Sequence, residues 1–441
     1  MHYFDKKTYL KPFVYLFIAI FLFTACNSSL NNKSKEFGKN IIHLPELMAL
    51  PPVQIAHLQQ ACASWYDSAL FPKGFNGGII VAKNGQIVFE KYNGTTHLPG
   101  KESINENTSL HIASVSKTFT AMAVLKLWEE KKLNIDDEFS KYFPEFNYPG
   151  VTIRTLLNHR SGLPNYTHFY EKSSWDKTKM LSNQDILQTL IKKDIEFPPA
   201  AKPNTRFNYC NTNYALLALL IEKISGQTYG KYLEEVFFHP LQMKNTHVFT
   251  MADSGRFPPS YDWKNRLIPL NYLDAIYGDK NIYTTPRDLL IWDRALYSGK
   301  LFQASTLEQA FTPYSNERPG IKNYGLGWRM NIYSNSKKMI FHNGWWHGSN
   351  AAFIRLVQDT ATIIVIGNKF NRGIYHSKNL ANIFSNYFAA TDNMEESEGM
   401  KINDSIPFQN DESETGKIAP LTARDSILND ILIKSNKKTL Q

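Results

Sequence analysis

Two apolar runs near opposite ends of the chain most restrict its fold: GGIIVAKNGQIVFEKYNG at 77–94 and AAFIRLVQDTATIIVIGN at 351–368. Each is rich in Ile and Val and is interrupted once by a turn signal, Asn84-Gly85 in the first and Asp359-Thr360 in the second. That is the pattern of two strands folded back on each other. YGLGWRMNIY and MIFHNG supply further strand signals just before the second run. Between them, from about Lys131 to Tyr277, helix-like segments alternate with Pro and Gly clusters such as NHRSGLPNY and EFPPAAKPN. Strands at both ends with helices between predict an α+β fold, in which one antiparallel sheet is completed by distant segments and flanked by helices. The region 131–277 then forms a mainly helical inserted subdomain of a domain spanning 51–390. Further helices are expected over Val53–Leu70, from Ser114 onward, and from about Ser377 to Ala390.

The ends of the chain read differently. Lys6, Lys7 and Lys11 precede the apolar run FVYLFIAIFLF, which closes on Thr24, Ala25 and Cys26. The run is short for a membrane span and has the layout of a secretory signal. Small residues before a cysteine resemble a bacterial lipobox, with Cys26 as the lipidated first residue of the mature protein. This predicts a signal peptide at 1–25, a polar tether at 26–50 and a lipid anchor in the cell envelope, facing the periplasm. Beyond Thr391 the composition turns polar, predicting a flexible tail over 391–441 in which only Ile427, Leu428, Ile431 and Leu432 share an apolar face. The net charge is +9, but no basic run with interleaved aromatics appears, which argues against nucleic acid as a partner. Cys62 and Cys210 alone follow Cys26, too few for a disulfide framework. There is no H-E-x-x-H, no paired C-x-x-C and no phosphate-cradling glycine loop, so neither metal nor other cofactor is implied.

At 110–122 the chain reads LHIASVSKTFTAM. On a helix, Ser114 and Lys117 share a face one turn apart. Phe119, Met122, Val124, Leu125 and Leu127 make the segment apolar on most sides, which places its amino-terminal end inside the protein. A serine there lies in the positive field of the helix, and a desolvated lysine beside it is able to accept a proton. On spacing alone the pair also suits a helix cap and a lysine snorkelling to water. The same S-x-x-K spacing at Ser174, Ser334 and Ser435 falls in a polar loop, a hairpin turn and the tail.

With SVSK at 114–117, FNYCNTNYALLALLIEKISG at 207–226 and FHNGWWHG at 341–348, in that order, the chain resembles the serine β-lactamase and penicillin-binding D-Ala-D-Ala peptidase family, nearest its class C-like branch. LLNHRSGLPNY and NIYTTPRDLLIWDRAL are similar to further stretches of that family. The resemblance implies a serine hydrolase in which Ser114 is the nucleophile, Lys117 its base and Tyr209 the proton shuttle, with Asn211 completing Y-x-N. His342 and Gly344 match the ends of the K-T-G or H-T-G motif, and the N–H groups of Ser114 and Trp345 match the oxyanion hole. Two further YSN triplets, at Tyr314 and Tyr333, sit in turn-like sequence and lack the apolar helix that follows Tyr209. Cys210, between Tyr209 and Asn211, reads as a small buried residue.

Two departures bear on substrate. His342 stands where true lactamases have lysine, and Asn343 where they have the threonine that helps bind a carboxylate. An imidazole with the ordinary value of ~6.5 carries little charge at neutral pH, so anionic substrates are expected to bind more weakly as pH rises. The expected substrate is a D-amino-acid peptide or a small ester. The alternatives are a penicillin-binding or ligand-sensing protein without turnover, and a true class C-type β-lactamase.

Overall fold

The computed structural model describes residues 41–98, 100, 102–193 and 199–388. The signal run, Cys26 and the 391–441 tail fall outside them. Among the described residues no helix is long and apolar enough to cross a membrane.

Asn84 and Gly85 both take positive φ, 52° and 74°, which closes β1 (Gly77–Lys83) onto β2 (Gln86–Asn93). Four later strands form a meander: β3 (Lys322–Tyr324), β4 (Arg329–Ile332), β5 (Lys338–Trp346) and β6 (Ser349–Leu356). β7 (Ala361–Gly367) then runs antiparallel between β6 and β1, giving a seven-stranded sheet of order β2-β1-β7-β6-β5-β4-β3. The pairing Gly77↔Gly367 through Lys83↔Ala361 joins the two ends of the domain. This is the expected α+β architecture, with the sheet completed by distant segments.

The alternation of side chains across the sheet explains why both runs are apolar throughout. Ile80, Ala82, Phe353, Ile364 and Ile366 face one core, and Ile79, Val81, Ile354, Ile363 and Val365 face another. The second core is covered by helix α1 (Pro52–Trp65), which continues through Tyr66–Leu70 as expected, and by a 3-10 segment, Arg372–Ile383. That segment begins earlier than the helix expected from Ser377. The first core is covered by α2 (Ser116–Glu129), α3 (Asn211–Ser225) and α4 (Pro286–Tyr297). The 131–277 region contributes helices together with short strand pairs such as Ser260–Tyr261 with Leu267–Ile268. Part of the expected tether belongs to the domain: Ile42 N–H donates to Pro240 O, Ile42 and Leu44 pack on the main core, and Leu50 is buried.

A buried ion pair ties α4 to the sheet. Arg355 of β6 donates to Asp293 of α4, which also accepts from the Thr362 hydroxyl of β7. Arg355 is 1% exposed and lies against the rings of Tyr297, Phe311 and Trp328. Removing one partner strands the other charge away from water. Asp293→Ala should therefore cost about 3–5 kcal/mol, read as a fall in the urea midpoint; a cost below about 1 kcal/mol would mean that Arg355 reaches solvent.

Candidate active site

The turn that presents Ser114 is built by a sheet fragment before it and a helix after it. Leu110–His111 pairs with Ile282–Thr284, and Ile112 N–H donates to Ile282 O at 3.0 Å. Ala113 then takes a left-handed φ of 47°, and the 3-10 turn Ala113–Val115 runs directly into α2. The regular helix thus begins two residues after Ser114. In this turn Ser114 is half-buried, while Ala113, Val115, Ser116 and Lys117 are buried. Ser116 is fully buried and its hydroxyl accepts from Ile282 N–H at 3.1 Å, which gives it a structural role.

Lys117 is fully buried and donates from Nζ to Ser114 Oγ at 3.0 Å and to Asp279 O at 2.8 Å. Its Nζ lies 5.2 Å from the centre of the Tyr209 ring and 5.7 Å from that of Tyr214. The spacing read from the sequence therefore brings the serine and lysine into direct contact. Tyr209 is half-buried just before α3, with Arg329 4.8 Å above its ring and the His159 ring at 4.3 Å. Asn211 opens α3 with its Oδ1 buried and without a hydrogen-bond partner. Cys210 between them is buried, and burial pushes its thiol up to about 11.

β5 supplies the opposite wall. Gly344 packs so closely on the turn before Ser114 that a Cβ there would lie 2.1 Å from Ile112 O. The Gly344 carbonyl accepts from Tyr375 Oη at 2.9 Å, so the planar trans peptide directs the Trp345 N–H to the other side. β4 pairs with β5 only over Lys338–Phe341. From His342 onward, β5 has a neighbouring strand on one side alone, β6.

His342 departs from expectation. Its side chain is fully buried; Nδ1 lies 2.7 Å from the Asn343 carbonyl, which can only accept, and Nε2 lies 3.2 Å from Tyr324 Oη. Nδ1 therefore carries the proton, and Nε2 accepts from Tyr324. Burial, reinforced by the charges of Arg329 and Lys117, holds its pKa well below the usual imidazole value. It is neutral across the physiological range and its ring bonds Tyr324, so the expected pH-dependent anchor is absent. His159 is neutral for the same first cause, burial, followed by Lys117 and Arg329.

Sequence reasoning missed Arg329, His159, Tyr324, Asp279 and Lys280. Arg329 lies within YGLGWRMNIY, a strand pattern in which a cation on an otherwise mostly uncharged strand is the available signal; no carboxylate of the described residues pairs with it. In GDKN at 278–281 the sequence alone does not set Lys280 apart. Among the described residues no His, Cys, Asp or Glu group is arranged to hold a metal ion.

The family model described as Beta-lactamase matches residues 72–383. Penicillin-binding protein 4* of Bacillus subtilis (strain 168) is 32% identical over 311 residues, covering 67% of this chain and 68% of that one. Other curated relatives are spanned over 60% to 62% of their own length. Among solved structures, the penicillin binding protein from Bacillus halodurans aligns with a TM-score of 0.63 at 23% identity, over 72% of this chain and 98% of that one. A D-stereospecific amidohydrolase from Streptomyces sp. aligns at 0.57 and 23% identity, over 76% and 99%. At these identities the structural likeness speaks for the fold.

The buried imidazoles give a stability prediction. His111 is pushed down to about 3, mainly by burial, and His159 and His342 lie well below 6.5. All three bind protons more readily unfolded than folded, so stability is full above the unfolded value near 6.5 and falls as pH drops below it. Each contributes about 1.4 kcal/mol per pH unit in that window. Urea unfolding from pH 7.5 to 5 should show this decline, and His342→Gln should make it shallower; an unchanged slope would place the His342 ring in water.

Proposed function

The chain belongs to the beta-lactamase family, and from that premise we propose that it is a serine hydrolase working through an acyl-enzyme on Ser114. The observation that carries this reading is the 3.0 Å contact between Lys117 Nζ and Ser114 Oγ, made by a lysine withdrawn from water. In its neutral form Lys117 takes the proton as Ser114 Oγ attacks a carbonyl carbon. Negative charge developing on the carbonyl oxygen is met by the N–H groups of Ser114 and Trp345. The Tyr209 hydroxyl relays the proton to the leaving nitrogen or oxygen, whose bond to the carbonyl carbon breaks. Water then attacks the acyl carbon, releasing a carboxylic acid and returning the proton to Ser114.

The substrate class follows from the charges around Tyr209. With His342 neutral and Asn343 beside it, Arg329 is the cation left to meet a carboxylate. An acyl compound that bears one, such as a D-amino-acid peptide, suits this arrangement. The name of the curated relative, a penicillin-binding protein, is in keeping with this class. A neutral His342 weighs against the lactamase alternative, because the charge of the usual lysine is missing from β5.

Ser114→Ala should abolish labelling by a fluorophosphonate or penicillin probe, whereas Ser116→Ala should retain it; a Ser114 variant labelling at the normal rate would sink the nucleophile assignment. A chromogenic ester should give a burst followed by steady turnover, and a burst that stops at one equivalent would favour the ligand-sensing alternative. Arg329→Ala should raise KM for carboxylate-bearing substrates by roughly tenfold or more and leave neutral esters little changed, as expected for one charge-assisted hydrogen bond. Equal effects on both substrates would remove Arg329 from the anchor.

A further inference from the structure

Lys280 is a second lysine withdrawn from water beside the Ser114–Lys117 pair, and acyl transfer as described leaves it without a part. It follows Asp279, whose main-chain oxygen accepts from Lys117 Nζ. Its side chain is 3% exposed; its ammonium donates to Tyr166 Oη at 2.7 Å and lies 3.6 Å from Asp279 Oδ1 and 4.6 Å from the Trp346 ring centre. Tyr166 in turn donates to Asp279 Oδ2 at 2.7 Å, while Asp279 Oδ1 has no hydrogen-bond partner. A carboxylate and an ammonium are thus enclosed together next to the contact that holds Lys117. Away from water, charges at such range act strongly on their neighbours.

We propose that Lys280 is a positioning residue that, with Asp279, sets the pH at which Lys117 gives up its proton. The proposal rests on the reading of Lys117 as the base. The groups facing Lys117 are Ser114 from its own turn, Asp279 from the 278–281 loop, and Tyr209 and Tyr214 from the start of α3. His159, His342 and the Cys210 thiol also lie within its field, and all three are held neutral, chiefly by burial. Arg329 acts on the two imidazoles from β4. Lys280 itself is pushed below the usual ammonium value by burial, against the pull of Asp279 and Asp274 and with the charge of Lys117. Asp274 is held in turn by Trp346 Nε1 at 2.6 Å and His347 Nε2 at 3.0 Å.

The signs are opposite for the two members. A positive neighbour favours neutral Lys117, and a negative neighbour favours its ammonium. Lys280→Met leaves Asp279 uncompensated, so the acid limb of kcat/KM should move up by on the order of one pH unit, with about tenfold loss at pH 7 and recovery at alkaline pH. Asp279→Asn, which keeps an acceptor for Tyr166, should move the limb down. Lys280→Arg, which keeps the charge, should hold it near the wild-type position. The experiment is kcat/KM for a neutral ester from pH 5 to 10 in these proteins and in Ser114→Ala, with thermal unfolding as a check. Should Lys280→Met not fold, Asp279→Asn and Lys280→Arg carry the test. Limbs shifted in opposite directions support the proposal. Rates scaled equally at every pH, or limbs left in place while Ser114→Ala is inactive, overturn it and leave the hydrolase reading intact. Activity that survives in Ser114→Ala overturns both.

Discussion

A lysine amine buried with no exposure is the constraint around which the rest of this domain is arranged. Lys117 needs acceptors for its protons, and it finds Ser114 Oγ on its own turn and Asp279 O on a loop more than a hundred residues away. Satisfying it therefore fixes α2 against the 278–281 loop and against the rings of Tyr209 and Tyr214. The packing is close enough to restrict residue size. Gly327, at φ 87°, sits where a Cβ would lie 2.2 Å from that of Ala121, on the turn after Lys117. Gly344 presses on Ile112 in the same way from β5. Gly327 lies in the turn between β3 and β4 and Gly344 on β5, so the late part of the sheet closes over the region of the amine.

The charge pattern that results differs from what residue types suggest. Twelve histidines are present, yet the two beside Tyr209 are held neutral, first by burial and then by the charges of Lys117 and Arg329. The basic side chains of the region, Lys117, Arg329 and Lys280, each have a distinct environment: one bonded to the serine, one stacked on a tyrosine, one enclosed with a carboxylate. Such a division allows acid–base work and anion recognition to depend on separate side chains.

Much of this was legible in the sequence where local chemistry decides. Asn84-Gly85 fixes its hairpin by backbone preference alone, and S-x-x-K places two side chains on one face by helix geometry. What the sequence could not reveal was decided by partners far along the chain. His342 is neutral because the fold buries it, with Arg329 and Lys117 near, and its Nε2 faces Tyr324 from another strand. Lys280 acquires meaning only when Tyr166 is folded against it. Residues 41–50, IIHLPELMAL, are mostly apolar and differ from the polar stretch before them; Ile42, Leu44 and Leu50 dock on the domain, so the polar tether ends before this segment. The start of α2 moved by two residues because Ala113 takes a left-handed turn that no propensity demands.

The partial pairing of β5 has a consequence for how such a site diversifies. Beyond Phe341, where its pairing with β4 ends, β5 continues past the turn that carries Ser114 with main-chain groups as its working surface. Donors of this kind belong to every residue type except proline. The side chain at Asn343 is then open to change while the backbone groups around it stay in place, whereas Trp345 and Trp346 are held by His347 O and Asp274. A substitution at such a neighbour therefore alters the surface beside the strand without removing a main-chain donor from it.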